Sequence, residues 1–278
     1  MRARTIAGMT TLPPLPAPPP IAPDWAVFLD VDGCLLDFAV APDAVLVTDE
    51  LRDVLSRLHA ALGGALALVS GRPLAQLDAL FAPLRLPAAG LHGLQRRDHG
   101  HGDANDDVPP ALALIGQRAR ALAGKFPGAV IEDKGAALAF HWRGAGAGAG
   151  AGEALRQYAE SVLIDLPGYR LQPGKQVIEL RPDGAHKGSA IDHMMTQPPF
   201  AGRTPVLFGD DLTDEAGFVA VAAAGGHGVI VGDRRPTAAG FAVDNPAAVH
   251  AWLQGAAHVL ARAPPGLAPA GPAGELRL

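Results

Sequence analysis

Short apolar runs alternate along this chain with longer stretches whose apolar residues recur at helical spacing. The first run, WAVFL at 25–29, is continuous, as a strand buried on both faces should be, and it leads straight into Asp30. From 48 to 62 the residues Leu51, Val54, Leu55 and Leu58 share one helical face, with Thr48 as N-cap and Gly63-Gly64 as the stop. Residues 65–69 predict a second strand, ending at Ser70-Gly71-Arg72. PVLF at 205–208 predicts a third, ending at Gly209-Asp210-Asp211. This alternation predicts an α/β fold. Open α/β sheets bind ligands beyond the carboxyl ends of their strands, so the polar groups converge on one place.

The middle of the chain, 97–182, has a different texture. It holds Glu132-Asp133-Lys134-Gly135, the strand-like AALAFHW, a Gly/Ala run at 144–152, a helix over about 153–163 and the strand-like QVIELR. This predicts a smaller α+β module inserted into the first unit, which then covers 23–96 and 183–262. The Gly/Ala run reads as a flexible loop. The Pro-rich segment 1–22 and the segment 263–278 read as disordered tails.

Composition sharpens the picture in three ways. Hydrophobic residues make up 49% of the 278 residues and aromatics only 5%, so Ala, Leu and Val must build much of the core. A net charge of −5 without a long basic run argues against a nucleic-acid partner. The single cysteine, Cys34, excludes an intrachain disulfide and suits a reducing compartment. No run approaches the ~20 apolar residues of a membrane span, and no apolar leader follows the first residues. The expectation is a cytoplasmic protein without a membrane partner.

The candidate chemistry sits at the strand ends. In Asp30-Val31-Asp32-Gly33, one carboxylate can attack phosphorus while the other protonates the leaving alcohol, and Gly33 permits the sharp turn. Ser70 with loop amides can hold phosphoryl oxygens, although SGR equally fits a turn with a helix N-cap. Lys187 can neutralise phosphate as a point charge or be an ordinary surface lysine. Asp210, Asp211, Asp214 and Glu215 repel one another unless a cation sits among them, and oxygen-only ligands suit Mg²⁺. A helix start accounts for Asp214 and Glu215, but not for Asp210 and Asp211.

In this order the four signals resemble the haloacid-dehalogenase-like phosphatase superfamily, whose core is a doubly wound, Rossmann-like parallel sheet. The resemblance implies Asp30 as nucleophile and Asp32 as general acid/base, with Ser70 and Lys187 on the phosphate. It implies Mg²⁺ held by Asp30, the backbone carbonyl of Asp32 and Asp210, with Asp211 or Asp214 in support. Substrate choice in that superfamily lies in an inserted cap. Here the segments 131–143 and 173–191, with VSGRP, GLHG and GDDLTDE, resemble the trehalose-6-phosphate phosphatases over roughly residues 25–253. That implies an enzyme acting on a small sugar phosphate, at the last step of trehalose biosynthesis; the oligomeric state stays open, with a monomer favoured. It implies Gly71, Arg72, Glu132, Lys134, Lys175 and Glu179 as substrate-binding residues, with His92, Arg143 and Arg181 as further candidates.

Two positions depart from the family pattern. Cys34 stands where Thr or Ser is usual, and Leu94-Gln95 follow GLHG where an acid is common. The competing readings are a phosphatase for sucrose 6-phosphate or a mannosyl phosphoglycerate, and a catalytically silent sugar-phosphate-binding regulator. The latter is expected to lack one of Asp30, Asp32 and Asp210, and all three are present.

Overall fold

The computed structural model describes residues 14–37, 47–97, 104–105, 108–146 and 150–262. Strand β1 (Trp25–Leu29) is buried along its whole length, as its continuous apolar run predicts. Helix α1 (Asp49–Ala61) begins where the Thr48 hydroxyl accepts the Leu51 N–H at 3.2 Å. It stops at Gly63 and Gly64, whose positive φ values of 61° and 95° suit glycine. Then come β2 (Leu66–Val69), α2 (Leu74–Phe81), β3 (Ala88–Gly90), β4 (Gln95–Arg97) and β5 (Ala104–Asn105).

The middle of the chain forms α3 (Pro110–Ala123), β6 (Val130–Asp133), β7 (Leu138–His141), α4 (Ala151–Val162), β8 (Tyr169–Gly174) and β9 (Val177–Pro182). After it the chain completes the first unit with α5 (Lys187–Met194), β10 (Thr204–Gly209), α6 (Glu215–Ala223), β11 (His227–Val231), β12 (Phe241–Val243) and α7 (Pro246–Arg262).

Eight strands form the large sheet in the order β12-β11-β10-β1-β2-β3-β4-β5. The first six are parallel, and β4 and β5 run antiparallel at one edge. Successive strand residues face opposite sides. The Phe208 ring lies 4.8 Å from that of Trp252 in α7, whereas the adjacent Leu207 packs under Gly217 of α6. The two faces of the sheet are therefore covered by different helices, α7 with α1 and α6 with α5. The chain is a doubly wound α/β protein.

The four-stranded sheet, in the order β6-β7-β9-β8, is entirely antiparallel. One face, carrying Leu138, Phe140, Ile178 and Leu180, packs on α3 and α4 as a separate apolar cluster. A small third cluster of Leu91, Leu94, Ala136, Ala137 and Ala185 joins the two units.

Three sequence expectations change. Residues 97 and 104–105, assigned to the inserted module, pair within the large sheet, so the middle unit starts at about residue 108. Of the expected N-terminal tail, residues 1–13 lie outside the described residues, but Leu15, Ile21 and Ala22 pack on the core. There the Pro16 carbonyl accepts the Ala242 N–H at 2.9 Å. Proline keeps its carbonyl and lacks only the donor, so a Pro-rich segment can line a sheet edge. The Gly/Ala run is not all loop. Gly144 and Ala145 sit in a 3₁₀ turn and Ala151 opens α4, while 147–149 lie outside the described residues. So does the C-terminal segment 263–278. No described helix is long and apolar enough to cross a membrane.

Candidate active site

Parallel pairing decides where the site lies. Leu29 stands opposite both Leu68 of β2 and Phe208 of β10, so the residues just beyond these strands share one edge. Asp30, Ser70 and Asp210 are those residues, at the point where strand order reverses between β10 and β1. Gly33, with φ 82°, turns the chain immediately after Asp32.

Lys187 is the first residue of α5, whose start is marked by the His186 and Ser189 capping box, and it is only 2% exposed. Its ammonium lies 2.9 Å from Asp30 Oδ1 and 2.7 Å from Asp214 Oδ1. The second Asp214 oxygen accepts the backbone N–H groups of Asp210 and Asp211 at 3.0 and 3.1 Å. Asp214 can fold back under the strand because Gly209 has no side chain; a Cβ there would collide with the carboxylate.

Burial pushes the Asp30 carboxyl well up, against the pull of Lys187, and pushes Asp214 up as well. Asp210 rises to about 6 through burial, with Asp214 and Asp211 adding repulsion. Lys187 loses hydration, yet its two carboxylate partners hold it above the usual lysine range. One ammonium thus faces several acids, a surplus of negative charge that a divalent cation would neutralise. Asp30, Asp210 and Asp214 each bring a carboxylate oxygen within 4.8 Å of the others. Asp210 Oδ1 is buried without a hydrogen-bond partner, which fits a hard cation that takes oxygen ligands. Asp211 points elsewhere. Partial burial raises its pKa, but the Thr213 hydroxyl and amide, at 2.6 and 2.8 Å, bring it below the usual range.

Asp32 is gripped by Arg72 through two parallel bonds, Nε to Oδ2 at 2.7 Å and Nη2 to Oδ1 at 2.6 Å. The Ser70 hydroxyl, buried beside them, accepts the Arg72 N–H at 3.1 Å. A Cβ on Gly71 would lie 2.7 Å from the His92 ring, so any side chain there would displace that ring. Cys34 is fully buried, and its thiol is pushed up by burial and then by Asp30, so it stays neutral.

The open face of the four-stranded sheet is polar. Glu132, Ala139, Glu179 and Gln172 stand opposite one another across four strands, so they share a face. Lys134 pairs with Glu179 at 3.2 Å, and His141 with Glu132 at 3.0 Å. Arg181, 3% exposed, donates to Gln172 and to the Ala185 carbonyl. This face is joined electrostatically to the large sheet through His92. Burial first, then Lys187 and Arg181, depress its pKa to about 4, opposed by Glu179.

The geometry can now be set beside known proteins. The trehalose-phosphatase family profile matches residues 28–246. The trehalose-6-phosphate phosphatase of Escherichia coli (strain K12) is 40% identical over 242 residues, covering 87% of this chain and 90% of the relative. The chain belongs to the trehalose-phosphatase family. A Sinorhizobium fredii (strain NBRC 101917 / NGR234) member, described as a probable trehalose-phosphate phosphatase, is 43% identical over 218 residues, 77% of this chain and 80% of the relative. The crystal structure of a trehalose-6-phosphate phosphatase related protein superposes with a TM-score of 0.65 at 26% identity, covering 84% of this chain and 97% of that one. Membership of the trehalose-phosphatase family makes this chain a phosphatase.

Within this trehalose phosphatase fold the residues expected from sequence divide into groups. Asp30, Lys187, Asp210 and Asp214 meet, and Asp32, Ser70, Gly71 and Arg72 adjoin one another. Glu132, Lys134 and Glu179 lie on or beside the polar face. Lys175 is exposed in the β8–β9 turn, where its carbonyl accepts from Arg143 at 3.3 Å. Asp211 leaves the acidic cluster because its carboxylate caps the 3₁₀ turn at Leu212–Asp214. Sequence reasoning passed over Arg234, which grips the acidic loop. The apolar run GVIV ends on Gly232-Asp233-Arg234 as the other strands end on polar residues, and that signal marks it.

His92 carries a pH prediction. Its folded pKa of about 4 lies below the ordinary value near 6.5, so the fold is favoured above pH 6.5 and loses this contribution as pH falls toward 4. Between pH 7.5 and 5.0, urea titration should record about 2 kcal/mol more loss for the unaltered protein than for His92→Asn. Asparagine tolerates the left-handed φ of 55° found there. Equal losses in the two proteins would remove the role of His92.

Proposed function

We propose that this enzyme hydrolyses trehalose 6-phosphate to trehalose and phosphate, with Mg²⁺ and through a phospho-aspartate on Asp30. The observation that carries the chemistry is the Asp30 carboxylate at the strand edge, 2.9 Å from Lys187 and grouped with Asp210 and Asp214. Asp30 attacks phosphorus and the phosphorus–oxygen bond to the sugar breaks, while Asp32 gives its proton to the departing sugar oxygen. Asp32 then takes a proton from the water that attacks the phosphoryl group, which releases phosphate and restores Asp30. Arg72 engages both Asp32 oxygens in the described arrangement, so the fork releases one of them for Asp32 to carry these protons. Ser70 and Lys187 hold phosphoryl oxygens.

Mg²⁺ would be held by Asp30 and Asp210, with Asp214 beside them and the Asp32 carbonyl contributing, and it neutralises charge between carboxylate and phosphate. Asp211, expected in support, lies outside the group of three carboxylates, and its Oδ1 accepts from Thr213.

The substrate assignment is supported by the E. coli relative together with the polar face of the four-stranded sheet. That sheet with α3 and α4 acts as a cap, and Glu132, Lys134 and Glu179 bind sugar hydroxyls. Carboxylate and ammonium groups side by side can accept from and donate to neighbouring hydroxyls. Lys175 reaches the sugar from the hairpin turn.

The test is phosphate release from trehalose 6-phosphate, sucrose 6-phosphate, a mannosyl phosphoglycerate and p-nitrophenyl phosphate, with Mg²⁺ and with chelator. Chelator-sensitive release from trehalose 6-phosphate alone supports the reading. Similar release from every ester removes the specificity, and ligand binding without release favours a silent regulator. Glu179→Ala should lower kcat/KM for trehalose 6-phosphate about 100-fold, the scale of a lost charged hydrogen bond, and change p-nitrophenyl phosphate turnover little. Matching losses on the two esters would end the cap argument.

A further inference from the structure

The loop that carries Asp210 is held from two sides. On one side Asp214 Oδ2 accepts the N–H groups of Asp210 and Asp211. On the other, Arg234 donates from Nε to the Asp210 carbonyl and from Nη2 to the Asp211 carbonyl, both at 3.2 Å. Its Nη1 reaches the Pro236 carbonyl at 3.1 Å. The guanidinium is anchored by Glu215 Oε1, and Glu215 Oε2 in turn accepts the Ala238 N–H at 2.7 Å. The backbone N–H and C=O groups of two consecutive residues, Asp210 and Asp211, are thus all held.

From this arrangement we infer that Arg234, braced by Glu215, is a positioning residue that aims the Asp210 carboxylate at a divalent cation. Three observations converge on it. Asp210 Oδ1 is buried with no hydrogen-bond partner, so no protein group fixes that oxygen and its aim depends on how the backbone beneath it is held. Arg234 holds that backbone through its own carbonyl, using the rigid fork that arginine has and lysine lacks. Glu215 offsets the guanidinium charge, so the clasp adds little repulsion toward a nearby cation. Arg234 and Asp210 also line a common cleft with Gly33 and Asp37.

The inference rests on the Mg²⁺ reading above, and its test separates the two. Full-length protein, free of substrate, is titrated with MgCl₂ by isothermal calorimetry. Arg234→Gln should weaken Mg²⁺ binding about 10-fold or more, the scale of supporting contacts around metal ligands. Its thermal midpoint in chelator should stay close to that of the unaltered protein. Glu215→Gln, which leaves the carbonyl contacts but loosens the brace, should weaken binding less and in the same direction. Arg234→Lys should fall between the glutamine variant and the unaltered chain. Unchanged Mg²⁺ affinity in Arg234→Gln and Glu215→Gln overturns the clasp alone. A loss of midpoint in chelator with unchanged affinity assigns Arg234 to fold maintenance and also overturns it. An unaltered protein that takes no Mg²⁺ overturns the cation site and the clasp together.

Discussion

Asp30→Asn is expected to lower turnover of trehalose 6-phosphate by roughly 10⁴-fold or more while the protein stays folded. The amide keeps the shape of the side chain but is no nucleophile toward phosphorus. The fold survives because Lys187 still pairs with Asp214 at 2.7 Å, so no buried charge is abandoned. Steady-state phosphate release, read beside a thermal unfolding curve, checks both halves of the expectation. Turnover within 10-fold of the unaltered enzyme would remove Asp30 as nucleophile. A collapse of the fold would instead show that the Asp30 charge is needed for assembly.

Lys187→Met should be the most destabilising single change at the site, by about 3–5 kcal/mol. Methionine fills a similar volume, so packing is nearly conserved and the electrostatic loss stands out. Asp30 and Asp214 would remain buried, at 4% and 0% exposure, with no counter-charge between them. Denaturant titration of this variant and of Lys187→Met/Asp214→Asn provides the check, because removing one stranded carboxylate should recover part of the loss. If the single variant unfolds like the unaltered protein, the carboxylates find another partner and the ion triad does not hold this edge together.

The fold was largely legible where a segment's surroundings are uniform. β1, β2 and β10 are buried on both faces, so each residue answers to the same apolar requirement and the run stands out. Thr48 and the Gly63-Gly64 pair mark α1 through local backbone chemistry that needs no partner. β4 and β5 were not legible. They are strands of three and two residues at one end of the sheet, without an apolar run, and their membership depends on β4 pairing with β3 and β5 with β4, so the module boundary was set too early.

The site divides in the same way. That Asp30, Ser70 and Asp210 lie together follows from strand ends in a parallel sheet. Which acid of Asp210, Asp211 and Asp214 turns inward does not follow from spacing, because the answer lies in the gap left by Gly209 and in the Thr213 hydroxyl. Arg72 and Asp32 are 40 residues apart, and only the alignment of β1 with β2 brings them into a bidentate pair.

The sequence by itself determined the α/β class, the strand ends that bear chemistry and the types of group delivered there, because burial and turn formation impose local rules on each residue. Tertiary structure alone decided that Lys187 is a buried counter-ion rather than a surface lysine, and that Arg234 grips the acidic loop. It likewise decided that His92 stands uncharged between the two sheets. Those outcomes depend on which charges and carbonyls meet across distant segments, and on how much water is excluded when they do. Electrostatic character inside a protein belongs to that assembled environment, not to the residue.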